Sequence, residues 1–157
     1  MPLTSAVTAP PIENLPDPAG GFEFDVAAAQ PDLFVVSLPG AAATGNGVGT
    51  YTNTHRYPVR LREVRVHADT APTTAAGLVV DVNVEGTSVF NPTGLRPKVA
   101  QGENDVTAVP SRDGDTRQLV QPGETVTVDV DTASGADVTI TVECVEIAPL
   151  NREGVLY

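Results

Sequence analysis

The sequence predicts an all-β fold, a jelly-roll-like antiparallel β-sandwich with an extended Pro-rich N-terminal arm. Three observations carry this. The apolar residues are mainly Val, Ala, Leu and Ile, beside four Phe, three Tyr and no Trp. Such a set fits a pleated sheet better than a helix wall. Short apolar runs alternate with turn residues along most of the chain, as in sandwiches and jelly rolls. No stretch of useful length shows a helical period. With 157 residues the chain suits one domain, which at this size buries roughly 70% of its unfolded surface and needs no staples.

Residues 1–20 form the arm. Pro2, Pro10, Pro11, Pro16 and Pro18 disfavour both helix and central strand. Leu3, Val7, Ile12 and Leu15 are spaced along it like separate anchors. Two readings stand: a solvated tail, or an arm that docks on a neighbouring subunit. The sandwich is expected over residues 21–147, and residues 148–157 read as a C-terminal tail.

Within the sandwich, Phe22–Val26 alternates and Leu33–Leu38 is a short apolar run. Ala27–Gln30 could form a turn that Pro31 stops. Pro39–Gly49 is glycine-rich and reads as a loop. Tyr57–Ala68 reads as a long strand with a flaw. Tyr57, Val59 and Leu61 share one parity, whereas Val64, Val66 and Ala68 share the other. A period-two strand brings both sets inward only with an extra residue, so a bulge or bend is expected near Arg62 and Glu63.

Leu78–Val84 is the cleanest strand, with Leu78, Val80, Val82 and Val84 on one side and Asp81 and Asn83 on the other. Glu85 and Gly86 suit a two-residue hairpin turn into Thr87–Phe90. Gln121–Glu124 is another turn, and Thr125–Asp131 follows with Val126, Val128 and Val130 inward. Gly135–Asp137 leads to the last strand, Val138–Ile147.

The formal net charge is −11. Nucleic-acid binding needs Lys and Arg to neutralise phosphates, so no nucleic-acid partner is expected. An anionic membrane surface is disfavoured for the same reason. No run of about 18 apolar residues spans a bilayer, and the N-terminus lacks the basic start and apolar stretch of a signal peptide. The placement of charge is more telling. Residues 1–55 contain no Lys or Arg, after which Arg56, Arg60, Arg62 and Arg65 cluster. They form either a solvated strand face paired locally with Glu63, or an inter-subunit contact in which one copy's acidic segment meets another's arginines.

No catalytic residue, metal ligand set or cofactor site is expected. His55 and His67 are the only histidines and read as surface or strand-edge residues. No nucleophile-elbow, zinc-protease or paired-cysteine motif is present. Thr44–Thr50 is glycine-rich but lacks the Lys and the helix start of a phosphate cradle. Asp113 and Asp115, or Asp129 and Asp131, could offer oxygen to calcium, but a turn and a solvated strand face account for them. The single cysteine, Cys144, lies in an alternating run beside Glu143 and Glu146 and reads as a buried, inert thiol.

Several stretches together resemble β-sandwich domains of bacteriophage head-decoration, head-fibre, baseplate and tail-fibre proteins. They are Ala71–Thr74, Leu78–Phe90, Arg96–Gly102, Val120–Asp131 and Ala136–Val142. Thr74 stands where a turn glycine is common, and Glu85 where Asn is common. The resemblance covers roughly residues 33–147 and brings no catalytic residues with it. It implies a structural virion protein: a capsid decoration or minor capsid protein, often trimeric, on the capsid exterior. Its implied partners are the major capsid protein and its own copies. The alternative is a tail-fibre or baseplate module that binds host-surface carbohydrate, for which the aromatic content is poor.

Overall fold

The computed structural model describes residues 31–111 and 118–147. The expected arm, the strand at Phe22–Val26, the turn at Ala27–Gln30, Asp113 and Asp115, and the C-terminal tail lie outside the described residues.

Among the described residues ten strands run in chain order: β1 (Pro31–Ala41), β2 (Gly45–Thr52), β3 (Val59–Thr70), β4 (Leu78–Val84), β5 (Thr87–Ser88), β6 (Lys98–Val99), β7 (Asp105–Ala108), β8 (Leu119–Val120), β9 (Thr125–Thr132) and β10 (Ala136–Glu146). They make two antiparallel sheets. The first has the order β1-β10-β3-β7, with β8 also on β3. The second has the order β2-β9-β4-β5, with β6 also on β4. The pairs β1/β2, β3/β4 and β9/β10 each place one strand in each sheet, and the last pair is inserted between the other two. The result is an all-β sandwich of jelly-roll-like winding.

The core lies between the sheets and is built by the alternation expected of half-buried strands. Val80, Val82, Val126, Val128, Val138, Ile140 and Val142 are all buried in it. Phe90 is the aromatic residue fully enclosed there, while Phe34 is half-buried against the core. Their aliphatic neighbours supply nearly all the buried surface, each full burial contributing about 1.5–3 kcal/mol of transfer free energy.

The long strand carries its flaw where parity required it. Glu63 pairs with Glu143 and Leu61 with Cys144, so Arg62 is the extra residue. On either side of it Val59, Leu61, Val64, Val66 and Ala68 are all buried. The strand is shorter than expected at its start, because Tyr57 precedes β3. The hairpin after β4 turns on Glu85 and Gly86 with φ of 49° and 80°, the positive values that a primed two-residue turn needs.

One expectation is overturned. The glycine-rich stretch is a loop only in part: β1 extends to Ala41, and Gly45–Thr52 is β2, paired with β9 at the edge of the second sheet. The glycines serve close approach there. A Cβ on Gly49 would stand 2.2 Å from Val36 Cγ2 of the opposite sheet, so only a glycine lets the two edge strands meet.

Candidate interaction surface

The outer face of the first sheet is read from its register. Leu33, Glu143 and Glu63 align across β1, β10 and β3. The next row is Val35, Thr141, Arg65 and Thr107, and the third is Ser37, Thr139, His67 and Asp105. Because Phe34 and Val36 take the inward positions of β1, Leu33 and Val35 point out, 62% and 51% exposed. A shallow depression of about 220 Å³ lies beside them, lined by Leu33, Glu63, Arg65, Thr141 and Glu143.

The four arginines do not act as one cluster. Arg65 Nε donates to Glu63 Oε1 at 2.7 Å, which is the local pairing of a solvated face. Arg56 precedes β3 and stacks its guanidinium over the Tyr57 ring, 5.3 Å from the centroid, a cation–π contact. Arg60 lies opposite Val145 and Leu119, and Arg62 is exposed on the bulge. Neither Arg60 nor Arg62 makes an ion pair among the described residues. The other candidates, Leu3, Val7, Ile12 and Leu15, lie outside the described residues.

The opposite sheet carries a polar network that the sequence did not reveal. Asp81 and Asp129 face each other across β4 and β9, an arrangement that repels. Arg96 answers it, with Nη1 3.7 Å from Asp81 Oδ2 and a closer pair to Asp131. Ser88 Oγ donates to Asp81 Oδ1 at 2.6 Å, Asn83 Nδ2 to Asp129 Oδ2 at 2.9 Å, and the Gly47 amide to Asp129 Oδ1 at 2.6 Å. Asp81 and Asn83 are therefore buried, 7% and 8% exposed, rather than solvated. Burial still pushes the Asp81 carboxyl above its ordinary value, although Ser88, the Val82 amide and Arg96 oppose the shift. No group of three or more side chains suited to a metal ion occurs among the described residues.

Cys144 is 1% exposed, and burial, then the charges of Asp32 and Glu143, push its thiol up to about 12. His55 sits at the other end of the sheet from the Thr70 end of β3, with Nε2 2.6 Å from Asp32 Oδ2 and Nδ1 3.6 Å from Glu146 Oε2. Among the described residues no helix is long and apolar enough to cross a membrane.

No protein-family model matches the sequence, and no curated protein is similar to it. Among solved structures, a chain of the cyanophage Pam1 capsid asymmetric unit is similar at 16% identity and a TM-score of 0.43, over 86% of this chain and 94% of that one. A chain of the acidic stable capsid structure of Helicobacter pylori bacteriophage KHP30 is similar at 10% identity and a TM-score of 0.38, over 74% of this chain and 90% of that one. At these scores the likeness carries no argument, and the sandwich stands on the strand pairing described above.

Proposed function

We propose that this chain is a non-enzymatic structural protein of a bacteriophage virion, a capsid decoration or minor capsid protein on the outside of the head. It holds to the major capsid protein and to its own copies, as a trimer, through protein–protein contacts. The observation that supports this best is the outer face of the first sheet. It sets two exposed aliphatic side chains, Leu33 and Val35, in register across β10 with Glu63 and Arg65, and the same strand β3 carries Arg60 and Arg62, which make no ion pair among the described residues. Apolar surface with arginine beside it is the composition of a protein interface. The arm, with Leu3, Val7, Ile12 and Leu15, supplies a second contact in this reading, and its prolines lower the entropy lost on docking.

Attachment of the full chain to shells that lack the protein tests the proposal. Leu33→Ser with Val35→Ser and Arg62→Glu changes only exposed positions, so the melting curve should stay close to wild type, within about 0.5 kcal/mol per site. Attachment should fall sharply. Attachment equal to wild type would remove this face from the mechanism.

A further inference from the structure

Strand β7 has four residues and pairs with β3 only over Val64–His67. At the start of that pairing His67 stands opposite Asp105, and both ring nitrogens meet carboxylates. Nδ1 is 2.6 Å from Asp105 Oδ1 and Nε2 is 2.9 Å from Asp69 Oδ1. An ionised carboxylate only accepts, and a neutral imidazole has one N–H to give. Both contacts are hydrogen bonds together only when the ring carries two protons.

We propose that His67 is a pH-sensitive clasp that ties the start of β7 to the end of β3. With both protons it grips Asp105 and Asp69 at once; on losing one it must release one of them. The neighbouring contacts are not titratable: Asn104 Nδ2 donates to the Ala68 carbonyl at 2.6 Å and the Ala68 amide donates to the Asn104 carbonyl at 2.8 Å. Across the sheet β10 presents Thr139 to His67, which is uncharged. The charged groups of β3 on the same face are Asp69, Arg65, Glu63 and, farther along the strand, Arg62 and Arg60; Arg65 and Glu63 are paired with each other, and Glu103 precedes the segment that leads into β7.

The bonds to Asp105 and then Asp69 raise the proton affinity of His67 above that of an ordinary histidine. A group raised in the fold stabilises below its unfolded value and loses that contribution as pH rises through the folded one. The clasp is therefore closed in mild acid and opens on the alkaline side of the ordinary histidine range.

The test follows the histidine ring nitrogens of the full chain by NMR from about pH 5 to 9, together with hydrogen-exchange protection factors of Val106, Thr107 and Ala108. The His67 midpoint should lie above that of the urea-unfolded chain. Protection in β7 should fall roughly two- to fivefold through the same midpoint, as befits exposed pairs. His67→Gln, at a half-exposed site where folding is retained, should abolish that pH dependence, and Asp105→Asn should lower the midpoint. A midpoint equal to that of the unfolded chain would overturn the proposal. So would β7 protection that ignores the titration, or that follows it equally in His67→Gln.

Discussion

The side-chain amide of Asn53 is buried at the end of the sandwich and makes three hydrogen bonds. Its Nδ2 donates to the carbonyls of Val120 at 2.8 Å and Tyr57 at 3.1 Å, and its Oδ1 accepts from the His55 amide at 2.9 Å. The amide thus ties the segment before β3 to β8. Asn53→Ala should lower stability by about 1–3 kcal/mol, because backbone groups lose their partner out of reach of water; urea unfolding measures it. Arg96 plays the corresponding part among charges. Arg96→Ala should cost about 1–3 kcal/mol at neutral pH, less than a fully buried pair, since its side chain is 26% exposed. Asp81 ionises above its ordinary value, so its protonated form favours the fold and that contribution is lost as pH rises through the raised value. The penalty of Arg96→Ala should therefore shrink as the Asp81 carboxyl protonates in acid. Cys144, with its thiol held near 12, should react with a thiol reagent only after unfolding; fast stoichiometric labelling of the native protein would contradict its burial.

At the scale of elements, what the sequence disclosed depended on how far pattern alone fixes pairing. The parity break between Leu61 and Val64 demanded an extra residue, and Arg62 is that residue. The alternation of Leu78–Val84 fixed its inward face, so Val82→Asp would bury an unpaired charge against Val128 and should prevent folding. A soluble variant with a wild-type melt would contradict that face. Composition misled at β2, because glycines that signal a loop in isolation here allow two sheet edges to close. Gly49→Ala, facing Val36 at 2.2 Å, should cost about 1–3 kcal/mol from overpacking. The candidate surface was legible only in part. The arginine cluster and the local Arg65–Glu63 pair stood in the sequence. The exposure of Leu33 and Val35 did not, because a continuous apolar run reads as buried on both sides, whereas in a two-sheet sandwich only the side facing the other sheet is covered. The Asp81–Arg96 pair joins residues from a strand and a following loop, a contact that no period reports.

At the scale of the whole molecule, the winding of the strands explains why a single short chain makes a firm scaffold. Inserting β9 and β10 between the first two crossing pairs joins sequence-distant strands in both sheets, so the described sandwich should unfold as a unit rather than peel from one end. A net charge of −11 favours solubility at high concentration, as the proposed role in many copies requires. Quantitative mass spectrometry of purified phage particles made in cells that produce this chain tests the central proposal most directly. The chain should be present in many copies, in a fixed ratio to the major capsid protein, in particles stripped of their tails. Its absence from washed particles, or its loss with the tails, would contradict a place on the shell.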